Sequence, residues 1–136
     1  MTTKEYLSQA YRLDQRIHSK LEQVSTLRSL AQKMTVSFGN EGGRGVRIQS
    51  PMENALVKII DMEQEINRDI NNLIDLKHRI AMNIKSIIIP EQELLLELRY
   101  LGYKTWEEIG EIMGYSYRQV HRIHGEALRN SNLTVQ

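Results

Sequence analysis

The chain has 136 residues, of which 40% are hydrophobic and 26% charged, enough apolar content for one domain or a small domain with an extension. It contains no cysteine, which excludes disulfide frameworks, zinc fingers, thiol nucleophiles and iron–sulfur clusters. The formal net charge is +1, so a surface that binds nucleic acid must be local. No apolar run approaches the ~20 residues that span a bilayer, and no apolar signal segment begins the sequence. We therefore expect a cytoplasmic protein without a membrane span.

Residues 1–89 carry two long stretches of helical periodicity. Alternating three- and four-residue spacing predicts a first helix from about Thr3 to about Val36. A second helix is predicted from Ser50-Pro51, a capping serine before a first-turn proline, to about Ile88. The apolar residues of each helix form a seam along one side. Polar residues interrupt these two seams at Lys20, Glu63 and Lys77. The first seam consists of Tyr6, Ala10, Leu13, Ile17, Val24, Leu27, Ala31 and Met34, and the second of Met52, Leu56, Ile59, Ile66, Ile70, Leu73, Ile80, Ile84 and Ile87.

Between these helices lies a glycine-rich stretch, Phe38 to Gly45. Its glycines predict that the first helix ends there and that a flexible loop covers about residues 38–50, with a short β-hairpin as the alternative. Two long helices joined in this way form an antiparallel hairpin. Because two helices alone bury too little surface, we predict that residues 1–89 associate into a homo-oligomer.

Residues 90–136 contain the start and stop signals of the helices in a helix-turn-helix. Pro90 begins a third helix and Gly102 stops it. Thr105 and Ser116 each stand three residues before a capping-box partner, and Gly114 supplies the left-handed turn between the two helices that they start. Gly110 provides the close approach of these helices. The predicted inward side chains are Ile109, Ile112, Met113, Val120, Ile123, Ala127 and Leu128.

Residues 94–129 resemble region 4 of bacterial sigma factors, which reads the upstream promoter element. They resemble more closely the small sigma-like regulators of phages of Gram-positive bacteria, such as late-transcription and autolysin-regulator proteins. Arg99-Tyr100, Trp106 to Ile109 and His121 to Leu128 carry this likeness. The resemblance implies an all-α fold, with a long antiparallel helical hairpin followed by a DNA-binding helix-turn-helix. It also implies a sequence-specific transcription regulator that does not initiate transcription alone.

The resemblance places the base-reading residues on the second helix of this motif, and the backbone N–H groups and threonine hydroxyl at the start of the first helix suit a phosphate. An arginine on the second helix can bind guanine O6 and N7 with two hydrogen bonds. Double-stranded DNA is therefore the expected partner, with RNA polymerase of a bacterial host as a second candidate. The expected base-reading residues are Tyr117, Arg118, His121 and Arg122, and the expected phosphate contacts are Lys104, Thr105, Trp106 and Arg129.

The sequence gives little support for a metal site, a cofactor site or a catalytic site. His121 and His124 are three residues apart, but no further ligand is spaced to complete a metal site, so we expect no metal. Neither a phosphate-binding glycine loop nor a nucleophile elbow is present, so we expect no cofactor and no enzyme.

The charge of the predicted DNA-binding region is nearly balanced, with five basic and four acidic residues from Arg99 to Arg129. One copy should bind weakly, and joined copies more tightly. A packaging subunit like a phage small terminase, and a module that only binds RNA polymerase, stay open as alternatives.

Overall fold

The computed structural model describes residues 1–40 and 51–131, with side chains for 1–33 and 51–131. All regular structure in these ranges is helical, which confirms the all-α prediction. The helices are α1 (Thr3–Asn40), α2 (Pro51–Lys85), α3 (Pro90–Leu96), a π-helical turn (Glu97–Leu101), α4 (Trp106–Met113) and α5 (Tyr117–Asn130). In these ranges no helix has the length and hydropathy needed to cross a bilayer.

Helix α1 extends further than the sequence predicts, through Asn40 rather than to about Val36. One glycine costs a helix only about 1 kcal/mol relative to alanine, so Gly39 does not end it. The rest of the predicted loop or hairpin, residues 41–50, lies outside the described residues.

Residues 15–71 form one compact unit, in which α1 and α2 run antiparallel. Lys20 of α1 pairs with Asp69 at 2.6 Å and Glu65 at 3.4 Å, and its hydrogen bond to Asp69 raises the pKa of its ammonium. Arg28, further along α1, pairs with Glu63, nearer the start of α2. Two of the predicted seam interruptions are therefore ion-paired between the helices. The buried apolar residues of this unit are Ile17, Val24, Ala31, Ala55, Ile59 and Ile66.

Among the described residues, the second unit combines residues 1–14 with residues 72–131. The start of α1 and the end of α2 share one hydrophobic core with α3, α4 and α5, and the Asn83 amide donates to the Tyr6 hydroxyl at 2.7 Å. The division into a hairpin of residues 1–89 and a domain of residues 90–136 stays a prediction. In the described residues, the start of α1 and the end of α2 pack with α3, α4 and α5 rather than with the rest of the hairpin. The core consists of Leu7, Ala10, Leu76, Ile80, Ile84, Ile87, Leu95, Leu96, Tyr100, Ile109, Val120, Ile123 and Ala127.

The predicted seam of α2 is partly wrong. Leu56 is 46% exposed and Ile70 37% exposed, whereas Ala55 and Leu76 are buried. Leu56 directly follows Ala55, so the apolar pattern permits two neighbouring registers, and packing against α1 selects between them.

The end of α2 is also earlier than predicted, at Lys85 instead of Ile88. The Ser86 and Ile87 backbone N–H groups donate three residues back, to Asn83 and Ile84, which tightens the last turn. The chain then turns toward Pro90. As a result Ile87 enters the core and Ile88 is 93% exposed.

The shared core predicts that a substitution in α1 destabilises the helix-turn-helix. Leu7→Ala removes a fully buried side chain and should lower the free energy of unfolding by about 2–5 kcal/mol. The single tryptophan, Trp106, reports unfolding of α4 by fluorescence in a urea titration. Leu21→Ala, at a position 45% exposed on the same helix, is the matched control and should change the midpoint little. An unchanged Trp106 transition in Leu7→Ala would show that α1 does not stabilise this domain.

Candidate nucleic-acid interface

A tight turn after the π-helical segment directs the chain into the helix-turn-helix. A Cβ on Gly102 would lie 2.9 Å from the Leu98 carbonyl oxygen, so this position requires glycine for space. Tyr103 then takes a φ of 57°. A left-handed conformation costs a non-glycine residue about 1–2 kcal/mol. The Tyr103 ring offsets this cost by packing 5.4 Å from the Tyr11 ring and 4.6 Å from the Lys77 ammonium.

Helix α4 begins with the predicted capping box. The Thr105 hydroxyl accepts from the Glu108 backbone N–H, and the Glu108 carboxylate accepts from the Thr105 backbone N–H, both at 3.2 Å. The hydrogen bond from the Thr105 backbone lowers the pKa of the Glu108 carboxyl. Thr105 is exposed beside this helix start, where oriented N–H groups favour a phosphate. Lys104 is half-buried, with its ammonium 4.0 Å from Glu108.

The turn between α4 and α5 has the predicted geometry. Gly114 has a φ of 73°, which a residue with a side chain rarely adopts. A Cβ on Gly110 would lie 2.9 Å from the Tyr115 carbonyl oxygen of the turn and 3.8 Å from a Val120 methyl of α5, so the turn, more than the helix crossing that was predicted, requires a glycine here. Ser116 and Gln119 form the second capping box and start α5. These contacts fix α5 against α4 in a helix-turn-helix.

The inward faces of α4 and α5 largely follow the prediction. Ile109, Val120, Ile123 and Ala127 are buried, and Met113 and Leu128 are half-buried. The prediction for Ile112 is wrong, because its side chain is 54% exposed. Helix α4 has only eight residues and buries one of them, Ile109.

The outward face of α5 carries three of the predicted base-reading residues. Tyr117 is 64% exposed, and Arg118 and Arg122 are exposed as well. Arg122 pairs with Glu126 at 3.4 Å, one turn further along the helix. Arg129 is exposed in the last turn of α5.

A column of four side chains, which we call the aromatic stack, connects the π-helical turn to this outward face. The Arg99 guanidinium lies 4.2 Å from the Trp106 ring centroid, and the ring centroids of Trp106 and His121 are 4.6 Å apart. The His121 and Tyr117 centroids are 4.2 Å apart. The structure therefore brings three predicted site residues into direct contact. His121 is half-buried in the stack, and its Nε2 has no hydrogen-bond partner among the described residues.

His124 is buried, a position that the sequence prediction does not assign to it. Its Nε2 is hydrogen-bonded to the Tyr100 hydroxyl at 2.6 Å. Burial, followed by the positive charge of Lys4, lowers the pKa of His124 to about 4, and burial raises the pKa of Tyr100 to about 12. The imidazole is therefore neutral at pH 7. Its position four residues after Val120 was the signal for an inward-facing residue.

The described residues contain no group of three or more potential metal ligands among histidine, aspartate and glutamate. The exposed arginines of α5 offer hydrogen-bond donors and positive charge instead, whereas α4 exposes Glu107, Glu108 and Glu111. Helices α4 and α5 therefore form a helix-turn-helix whose second helix has a free polar side.

The family comparison agrees with this geometry. Residues 89–130 match the family model for sigma-70, region 4. This part of the chain is therefore a DNA-binding helix-turn-helix domain of the sigma region 4 type. The matched segment is less than a third of the chain, and both α1 and α2 lie outside it. No curated protein and no solved structure matches the chain.

The buried His124 predicts a specific pH dependence of stability. Its pKa is about 4 in the folded chain against an ordinary value of 6.5, so below pH 6.5 the unfolded chain binds a proton that the folded chain does not. Its contribution to stability should fall as the pH decreases from 6.5 toward 4, by at most about 1.4 kcal/mol per pH unit. Urea unfolding at a series of pH values measures this loss.

His124→Gln should reduce the loss over that interval, whereas His78→Gln, at an exposed position, should retain it. Equal pH profiles for the wild type and His124→Gln would contradict the assignment to His124.

Proposed function

We propose that this chain is a sequence-specific, DNA-binding regulator of phage gene transcription that acts in the cytoplasm of a bacterial host and catalyses no reaction. The observation that carries the proposal is the free polar side of α5, in a segment that matches sigma-70 region 4. Arg118 lies in the first turn of that helix, where a helix-turn-helix inserts into the major groove.

In this proposal, some side chains of the domain contact DNA bases and others contact the DNA backbone. Arg118 binds a guanine edge through its two-pronged guanidinium, and Arg122 exchanges its exposed Glu126 partner for a second base or a phosphate. Such an exposed ion pair is worth at most about 1 kcal/mol, so DNA can replace it. Tyr117, fixed by the aromatic stack, packs on a base edge or donates to the backbone. Lys104, Thr105 and Arg129 contact phosphates, which position the domain without reading sequence.

The proposal is tested on the full chain with a DNA site obtained by selecting bound genomic fragments. Arg118→Ala should weaken binding to that site by about 1–3 kcal/mol, roughly 5- to 150-fold, and should relax the preference at one base pair. Binding to the selected site and to single-base variants of it is measured by fluorescence anisotropy.

Arg68→Ala removes the same charge from an exposed position on α2 and serves as the matched control, with wild-type affinity expected. Equal loss on all sequences would mean that Arg118 contacts phosphate only. No loss would place the reading surface elsewhere.

The same proposal includes a homo-oligomer held by the long helices. In the unit of residues 15–71, Leu56, Val57 and Ile60 are 46%, 51% and 56% exposed. Their spacing puts them on one outward side of α2, away from the buried residues Ala55 and Ile59. A second copy of the chain is the occupant we assign to this apolar patch, because joined copies compensate for the nearly balanced charge of each DNA-binding domain.

Sedimentation velocity tests this association. The wild type should sediment as an oligomer, and Ile60→Asp should shift it toward the 15.9 kDa monomer while leaving the helical content unchanged. Gln64→Asp, which places the same side chain at an exposed polar position one turn later, should retain the oligomer. A wild type that is monomeric at the concentration at which it binds DNA would overturn this part of the proposal.

An interaction with RNA polymerase is the second candidate function, and the exposed side of α4 favours it. Ile112 is 54% exposed, and Glu107 and Glu111 are exposed on the same helix. An apolar residue among acids suits a protein partner better than DNA. Capture of polymerase that survives Arg118→Ala and Arg122→Ala, without sequence preference on DNA, would favour a polymerase-binding module.

A further inference from the structure

A cavity of about 210 Å³ lies where the start of α1 meets the turn that leads into α4. Helix α1 contributes Lys4 and Ser8 to its lining, Arg99 comes from the π-helical turn, and Thr105 is the capping residue of α4. The cavity therefore adjoins the predicted phosphate contact at Thr105. Since a water molecule occupies about 30 Å³ in the liquid, a phosphate group fits there together with some of its hydration.

The charge of this cavity is positive. Its lining includes two cations, Lys4 and Arg99, and no carboxylate. The Lys4 ammonium makes no ion pair with any residue that the structure describes. The Arg99 guanidinium is held by the Trp106 ring and by one hydrogen bond to the Lys104 carbonyl oxygen, at 2.9 Å. These partners fix its plane and leave most of its five N–H donors for another acceptor.

Lys4 lies close to the helix-turn-helix although it is far from it in sequence. Its charge acts on His124 of α5 and is the second largest cause, after burial, of the lowered pKa of that imidazole. The backbone of Lys4 is held in place by the shared core, in which Leu7 of the next turn is fully buried. The segment that matches sigma-70 region 4 begins at residue 89 and does not contain this lysine.

We propose that Lys4, together with Arg99, binds a backbone phosphate of the DNA duplex that α5 reads, so that α1 forms part of the DNA interface. The proposal rests on the proposed function and extends it to a residue of the amino-terminal helix. A phosphodiester matches the positive cavity, which lies beside the helix start at which DNA backbone is expected. Lys4 adds a positive charge to a domain with five bases and four acids between Arg99 and Arg129.

The test measures DNA binding of the full chain as a function of salt concentration. Neutralising one phosphate contributes about 0.9 to the slope of log K against log salt, so Lys4→Ala should reduce the slope by about that amount. Affinity at about 0.1 M salt should fall roughly five- to tenfold, equally on the selected site and on a scrambled duplex. Lys4→Arg should restore the slope. Ethylation interference should show one phosphate whose modification weakens the wild type but not Lys4→Ala.

Lys33→Ala is the matched control, because it removes the same side chain from another exposed position of α1. It should keep the wild-type slope. An unchanged slope in Lys4→Ala, or an equal reduction in Lys33→Ala, would overturn the inference. Loss of binding on the selected site alone would also contradict a phosphate contact.

Two further results separate the possible failures. If Arg118→Ala relaxes base preference while Lys4→Ala keeps the salt slope, the proposed function stands and this inference fails. If the wild type binds no DNA, both fail. Calorimetric titration with inorganic phosphate distinguishes a site for free phosphate: saturable binding that Lys4→Ala abolishes, with an unchanged DNA salt slope, would replace the duplex as the source of the phosphate.

Discussion

The hydrophobic core of the unit formed by residues 1–14 and 72–131 determines which side chains of α5 remain outside. Leu7, Ile80 and Ile84 from the two long helices pack in the same core as Ile109 and Ile123 of the helix-turn-helix. An isolated pair of short helices would bury too little apolar surface to keep a fixed crossing angle. The ends of the long helices supply the missing surface, and their contribution leaves one polar side of α5 exposed.

The aromatic stack connects the π-helical turn to the exposed side of α5 and restrains the side chains there. Arg99 is fixed by the turn, its guanidinium packs on Trp106, and Trp106 packs on His121, whose other neighbour is Tyr117. A side chain that is already ordered loses less conformational entropy when it binds a ligand. The contact with His121 therefore restrains the Tyr117 ring, although Tyr117 is 64% exposed. Arg118 and Arg122 have no such aromatic packing among the described residues, so ordering them in a complex would cost more side-chain entropy than ordering Tyr117.

Local rules predict the parts of this structure that depend on neighbours in sequence. The capping boxes at Thr105 and Ser116 and the left-handed Gly114 follow from spacing alone, because their partners are within one turn. The register of α2 and the exposure of Ile112 depend on distant helices, and periodicity does not determine them. The spacing of His124 from Val120 indicates that it faces inward, but its hydrogen bond to Tyr100 depends on the π-helical turn. The left-handed Tyr103 is a tertiary effect too, since its ring is held by Tyr11 and Lys77. For the candidate site, the sequence predicts α5 and its outward face, but it does not predict the aromatic stack that packs behind Tyr117.

The proposed function requires that the outward side of α5 reads base pairs in a duplex. Selection from a randomised duplex library with the full chain, followed by methylation protection of guanine N7, is the most direct test. If α5 reads bases, the selection should yield a short enriched sequence containing guanines that are protected in the major groove. Recovery of unenriched sequences, or of an enriched sequence whose guanines stay fully reactive, would contradict it.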